Sequence, residues 1–202
     1  MGGLWRALAC AARHSGRVTA VAVVAGPAVV PELDPPWHRD DLSPAQQRFF
    51  VQLAGSTVAE AVELVRPEFE DFVARVAPTD EDNVALARRW TEGRHRQDVE
   101  LLAALPPADV AGAAREALAR VDGYLRDAAV TFRSWEVRPE GVSCPTWLWY
   151  GELDANVSLR NGRWLAEHVP RATLVVREQT AHLATLVKHW DEIFSRLRDA
   201  TW

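Results

Sequence analysis

The sequence has few of the residues that mark disulfide-rich, metal-binding and membrane proteins. Its 202 residues include two cysteines, Cys10 and Cys144, which are too few for a disulfide framework and do not form a CxxC pair. No apolar run approaches the length of a bilayer span. The N-terminal segment lacks the charged region, apolar region and cleavage site of a signal peptide. These absences predict a cytoplasmic protein that does not insert into a membrane.

Acidic residues outnumber basic ones. The formal net charge is -5, and no run of lysine or arginine interrupts the sequence. Nucleic-acid-binding proteins need a basic surface, so the charge argues against that class of partner. The histidines do not stand at metal-ligand spacing from cysteines or acidic residues, which argues against a metal centre.

What remains is an ordinary globular composition, with 48% hydrophobic and 25% charged residues. A chain of this length can bury one sizeable core and carry an inserted subdomain. Nine tryptophans are present, and we interpret most of them as core and helix-packing residues.

The N-terminal region combines a small-residue helix with a strand. Leu8 and Ala11 recur at helical spacing in LWRALACAARH, and Gly16 is a plausible stop. The valine-rich segment 17–25 then predicts a strand. Four prolines make the segment 26–39 a loop.

A helical block follows, over residues 40–132. Ser43 and Gln46 form a capping-box pattern around Pro44, which predicts the start of a helix. A second helix opens at Thr57, and Pro67 is expected to break it. Further helices are predicted from residue 79 or 80 and over 98–105, 107–118 and 122–132.

The C-terminal region has strand–helix–strand logic. The continuous apolar run 145–150 predicts a buried strand of a parallel sheet, and Asp154 follows in the loop beyond Gly151. A helix over 162–168 and a strand over 172–176 come next. His182 then precedes a closing helix predicted over 186–197. Both Asp154 and His182 follow strands, at the sheet edge where open α/β sheets place their chemistry.

These segments resemble the C-terminal portion of the α/β-hydrolase superfamily. The matching segments are WYGELDANV with its acid, NGRWLAEHVPRATLVV, and AHL with its histidine. The opening MGG and alanine-rich helix resemble the segment that comes after the family's nucleophile. The resemblance implies an α/β class protein with a partial α/β-hydrolase fold, in which about three parallel strands are flanked by helices. Residues 1–39 and 133–202 would form the core, and 40–132 an inserted all-helical cap.

The family mechanism, carried over to this chain, assigns Asp154 and His182 as catalytic residues. Asp154 would accept the Nδ1 hydrogen of His182, whose other nitrogen takes the nucleophile's proton. The resemblance implies hydrolysis of a small ester or amide substrate without metal or cofactor. It places the nucleophile, whether Ser, Cys or Asp, just before the position of Met1. Met1 would then hold the remaining oxyanion-hole donor, and the chain alone is expected to be inactive.

Three substitute nucleophiles are conceivable, and none is favoured. Cys10 lies more than two turns along the first helix, Ser15 lies in a turn, and Ser158 is better placed to cap the next helix.

Two other classes of function stay open. One is a binding or interaction protein without catalysis, which keeps the cap and a pocket for a small molecule. Aromatic residues can line such a pocket, although core packing is the commoner role. The other is a structural or regulatory partner, because strand 17–25 would form an apolar sheet edge of the kind that recruits a second chain. A homodimer through this edge is therefore expected. The aromatic residues that could line the small-molecule pocket of the first class are Trp37, Phe49, Phe50 and Trp90.

Overall fold

The computed structural model describes residues 3–200, which fall into two compact units. We call the first the sheet unit; it comprises the chain up to residue 55 and from residue 130 onward. The second comprises residues 56–129 and is called the helical insertion. Met1, to which the expected oxyanion donor was assigned, lies outside the described residues, as does Gly2.

Three strands form the centre of the sheet unit. They are β1 (Val21–Val24), β2 (Thr146–Gly151) and β3 (Ala172–Arg177), and within residues 3–200 they make one parallel sheet in that order. The predicted short parallel sheet flanked by helices is confirmed. The helices of this unit are α1 (Gly3–Arg13), α2 (Pro44–Gly55), α8 (Leu159–His168), α9 (His182–Val187) and α10 (Trp190–Asp199), with short 3₁₀ turns at Val30–Glu32 and Pro139–Gly141.

Strand β1 is shorter than the predicted segment 17–25. The N–H groups of Arg17 and Val18 both donate to the carbonyl of His14, so the chain is still turning away from α1 at these residues. The ladder begins where the Val21 N–H donates to the Pro145 carbonyl, at 3.0 Å.

Strand β2 is buried as its apolar run predicts. Leu148, Trp149 and Tyr150 are all fully buried. Helix α8 approaches the ring of Tyr150 so closely that a Cβ at Gly162 would lie 2.5 Å from a ring carbon. The glycine therefore lets α8 cover this strand, which fixes the segment between Asp154 and β3.

The helical insertion contains the predicted series of helices. They are α3 (Val58–Val76), α4 (Asn83–Thr91), α5 (Arg96–Ala103), α6 (Pro107–Leu118) and α7 (Val121–Thr131), the last of which ends in the sheet unit. Contacts group α2 with the sheet unit, whereas the sequence interpretation assigned residues 40–55 to the insertion. The division at residues 40 and 132 stays a prediction.

The predicted break at Pro67 is wrong, because α3 runs through this proline to Val76. An interior proline costs about 3 kcal/mol. Val65 and Phe69 are buried on either side of it, and each buried side chain of this size contributes about 1.5–3 kcal/mol. The reciprocal capping box of Thr57 and Glu60 adds to the stability of the first turn.

The prediction of a single closing helix over 186–197 is also wrong. Helix α9 ends at Val187, and His189 has φ -119° and ψ 14°, outside the helical range. The N–H of Ile193 then donates to the His189 carbonyl, which begins α10. Apolar residues continue at helical spacing across the break, so the periodicity could not locate it.

None of the helices within residues 3–200 combines the length and hydrophobicity that a bilayer-spanning segment requires.

Candidate active site

Asp154 lies in the loop that follows β2, with its side chain fully buried. One carboxylate oxygen, Oδ1, accepts hydrogen bonds from the backbone N–H groups of Asn156 and Val157, at 2.8 and 2.9 Å. This arrangement is an Asx turn, in which the side chain organises the backbone that follows it. It fixes the rotation of the carboxylate and leaves Oδ2 for another partner.

That partner is His182, the first residue of α9 beyond β3. Its Nδ1 lies 2.7 Å from Asp154 Oδ2. A carboxylate offers only lone pairs, so Nδ1 carries the hydrogen and Nε2 keeps a lone pair when the ring is neutral. The His182 side chain is 27% exposed, whereas that of Asp154 is completely covered. The expected contact between the two side chains is therefore present, and the imidazole is the accessible member.

Gly151, at the end of β2, permits the loop before His182 to approach the acid loop. A Cβ at this position would lie 2.2 Å from the Thr180 carbonyl oxygen and 2.5 Å from Thr185 Oγ1. The Thr180 carbonyl accepts from the Leu153 N–H at 3.0 Å. Only glycine fits this close backbone approach, so Gly151 positions both loops although it carries no side chain.

Backbone bonds extend the connection between the two loops. The N–H of Glu152 donates to the Arg177 carbonyl at 3.0 Å, and its carboxylate accepts from the backbone N–H of Gln179 at the same distance. Gln179 has φ 52°, a left-handed conformation that few non-glycine residues adopt. The sequence interpretation missed Glu152, although an acid directly after the glycine was a visible signal.

Tyr150, near the end of β2, is a buried side chain close to Asp154. Burial, followed by the nearby Asp154 carboxylate, raises the pKa of Tyr150 far above its ordinary value. Its hydroxyl donates to the Gly26 carbonyl and stays protonated. The buried Asp154 side chain is hydrogen-bonded by two backbone N–H groups and by His182, as a buried carboxylate requires.

Asn161 in the first turn of α8 ties the acid loop to the loop after β1. Its Oδ1 accepts from the Ala28 N–H at 3.0 Å, and its Nδ2 donates to the carbonyls of His38 and Ser158 at 2.8 and 2.9 Å. The Ser158 N–H also donates to the His38 carbonyl. The sequence interpretation missed Asn161, which lies within NGRWLAEH and gave no signal of a contact with a residue 123 positions away.

Ser158 does not perform the predicted capping role. It occupies the position before α8, but its side chain accepts no hydrogen bond from the helix amides. Asn161 donates to its carbonyl instead, which satisfies that end of the loop.

None of the three candidate substitute nucleophiles contacts His182. Within the described part of the chain, the side chain of His182 is hydrogen-bonded to Asp154 and to no hydroxyl or thiol. Cys10 is exposed on α1, and Ser158 Oγ lies 3.5 Å from Asn161 Nδ2. Across residues 3–200, no cluster of three or more His, Cys, Asp or Glu side chains is arranged to hold a metal ion.

The aromatic residues left open by the sequence fall into different surroundings. Trp37 lines a surface groove of about 460 Å³ together with residues of α2. Phe49 and Phe50 contact each other, with ring centroids 5.6 Å apart. The ring centroid of Trp90 lies 6.0 Å from that of Phe72 within the helical insertion.

Known proteins share this fold. No protein-family model matches the sequence. The chain is 28% identical over 184 residues to the pimeloyl-[acyl-carrier protein] methyl ester esterase of Chromobacterium violaceum, a match that covers 90% of this chain and 60% of that protein. An α/β-hydrolase fold protein from Nakamurella multipartita superposes with a TM-score of 0.54 at 23% identity, over 99% of this chain and 65% of that one. The enol-lactonase from Burkholderia xenovorans LB400 gives 0.52 at 18% identity, over 96% and 60%.

The chain therefore has the fold of the α/β-hydrolase superfamily over the part that it shares with these proteins. Its likeness to the two solved structures concerns the fold alone. The chain spans about 60% of the length of the C. violaceum esterase.

Proposed function

We propose that this chain supplies two catalytic groups of an α/β-hydrolase that cleaves small esters or related acyl compounds. They are the carboxylate of Asp154, which orients the histidine, and the general base His182. Asp154 holds the Nδ1 hydrogen of His182 and stabilises the imidazolium that forms during the reaction. Nε2 of His182 takes the proton of the nucleophile and returns it to the leaving group. The observation that carries the proposal is the 2.7 Å contact between His182 Nδ1 and the fully buried Asp154 carboxylate.

The substrate class rests on the likeness to known proteins. The C. violaceum protein is named for a methyl ester and the B. xenovorans protein for an enol-lactone, and both bonds are carboxylic esters. A buried carboxylate and a partly accessible imidazole fit acyl transfer, in which a proton moves at each step and no metal is needed.

The proposed reaction also needs a nucleophile, and the described residues place none against His182. Loss of the nucleophile from such a unit costs on the order of a million-fold in rate. We therefore propose that the chain by itself hydrolyses esters no faster than buffer does.

The test compares purified wild-type chain with His182→Ala on p-nitrophenyl butyrate. The proposal expects both to hydrolyse at the background rate. Hydrolysis that His182→Ala abolishes would contradict the proposed inactivity but support the base. Hydrolysis that His182→Ala leaves unchanged would contradict the mechanism.

A second experiment supplies a nucleophile. The part of the C. violaceum esterase that the match does not cover is joined to this chain, and folding is checked by circular dichroism. The proposal expects hydrolysis that depends on both Asp154 and His182. A folded hybrid whose hydrolysis persists in Asp154→Asn and His182→Ala would refute the assigned roles.

A further inference from the structure

A short segment, residues 178–181, connects the end of β3 to His182. We call it the histidine segment. A backbone bond ties it to the acid loop, because the N–H of Leu153, the residue before Asp154, donates to the Thr180 carbonyl at 3.0 Å. The position of the His182 ring relative to Asp154 therefore depends on the conformation of the histidine segment.

One residue of the histidine segment has an unfavourable backbone conformation. Gln179 has φ 52°, in the left-handed region that residues with a side chain seldom adopt. Thr180 follows directly, so relaxation of Gln179 to a negative φ would draw the Thr180 carbonyl away from the Leu153 N–H. Such a conformation persists only where the surrounding contacts hold it in place.

The carboxylate of Glu152 supplies contacts of this kind. Its Oε2 accepts hydrogen bonds from the backbone N–H of Gln179 at 3.0 Å and from Gln179 Nε2 at 3.3 Å. A hydrogen bond from a backbone N–H to a carboxylate is charge-assisted and about twice as strong as one between neutral groups. Glu152 is itself anchored, because its N–H donates to the Arg177 carbonyl at 3.0 Å.

We propose that Glu152 is a positioning residue for His182: its carboxylate keeps Gln179 in the left-handed conformation and thereby holds the His182 ring in contact with Asp154. The inference rests on the proposed function for one consequence only, namely that the position of His182 matters for hydrolysis. The contact between Glu152 and Gln179 exists in the chain by itself, so it can be tested without hydrolysis.

The first test measures how fast the Nδ1 proton of His182 exchanges with water, by NMR of the chain labelled with ¹⁵N in its histidines. The signals are assigned through His182→Ala. This proton lies in the bond to the buried Asp154, so it exchanges when the histidine segment moves away. Glu152 and Gln179 are exposed and water competes for their bond, so we expect Glu152→Ala to raise the exchange rate about tenfold. An unchanged rate in folded Glu152→Ala would overturn the inference.

Three comparisons separate positioning from a general loss of stability. Glu152→Gln keeps an oxygen that can accept from the Gln179 N–H, and its rate should stay within about threefold of the wild type. Glu178→Ala removes a carboxylate from the histidine segment, but not the one that binds Gln179, and should match the wild type. The amide of Leu148, in the buried strand β2, is the internal reference and should exchange at the wild-type rate in every variant. Equal increases at Leu148 and His182, or equal rates in Glu178→Ala and Glu152→Ala, would contradict the positioning role.

Catalysis by the hybrid protein gives an independent measurement. In the hybrid that contains the unmatched part of the C. violaceum esterase, Glu152→Ala should lower kcat about tenfold and leave KM within about twofold, because the imidazole is displaced while the substrate contacts are kept. Glu152→Gln should restore most of kcat. An active hybrid whose kcat is unchanged in Glu152→Ala would overturn the inference. A folded hybrid without hydrolysis would contradict the proposed function instead, and the exchange of the His182 proton would then decide whether Glu152 positions the ring.

Discussion

The burial of His38 makes a quantitative prediction about pH and stability. Its pKa is about 4 in the folded chain, chiefly because burial disfavours the charged ring, against an ordinary value of 6.5. The unfolded chain therefore binds more protons between these values, and the free energy of unfolding must fall as pH drops through this range. Between pH 7.5 and pH 5 the contribution of His38 amounts to about 2 kcal/mol, and its limit below pH 4 is about 3 kcal/mol.

Urea unfolding at pH 7.5 and pH 5 measures this contribution. His38→Phe keeps an aromatic ring beside Phe50 and Phe132 and removes the titrating group. All other titratable residues are shared, so the difference between the two proteins isolates His38. We expect the wild type to lose about 2 kcal/mol more than His38→Phe on going to pH 5. Equal losses in the two proteins would show that His38 is not buried in a neutral form.

Three further predictions concern the backbone and the sheet edge. Gly151→Ala should lower the free energy of unfolding by about 1–3 kcal/mol and shift the NMR signals of the His182 ring, because the added Cβ meets the Thr180 carbonyl. Gly16→Ala is the control, since no atom lies within 4 Å of the Cβ that it would add. Equal effects of the two substitutions would refute the argument. Pro67→Ala should raise the free energy of unfolding by about 1–2 kcal/mol in urea, and a loss would show that the proline is accommodated without cost. We also propose that the outer edge of β1 pairs with a second copy of the chain, so light scattering should give the mass of a dimer. The N–H of Ala22 points away from β2, and Ala22→Pro, which removes this N–H from the outer edge, should give a monomer. A monomeric wild type would contradict this pairing.

The sequence was most informative where local patterns and burial coincide. The apolar run of β2 and the strand–helix–strand pattern predicted the parallel sheet, and the resemblance to the α/β-hydrolase superfamily predicted the contact between Asp154 and His182. The capping pattern of Ser43 and Gln46 was likewise correct, since each backbone N–H is bonded by the other's side chain. These features depend on residues that are close in sequence or on the fixed geometry of parallel strands.

Long-range and compensating contacts could not be predicted in the same way. The passage of α3 through Pro67 depends on burial of its apolar face, which local propensity does not contain. Asn161 contacts His38 across 123 residues, and a buried asparagine looks like any other helical polar residue in a sequence. The buried state of His38 was missed for the same reason, because its aromatic neighbours come from α2 and from the segment after α7.

The sheet brings Asp154 and His182 together. Strands β2 and β3 are adjacent and parallel, so their carboxyl ends deliver Asp154 and His182 to one edge. Gly151 lets the two loops meet, and the amides of Asn156 and Val157 fix the carboxylate. Every one of these contacts lies within the described residues, so the pair can form whether or not a nucleophile is present. It follows that the hydrogen bond of His182 to Asp154 does not depend on the proposed ester hydrolysis, and we expect this hydrogen bond to persist where such hydrolysis is absent.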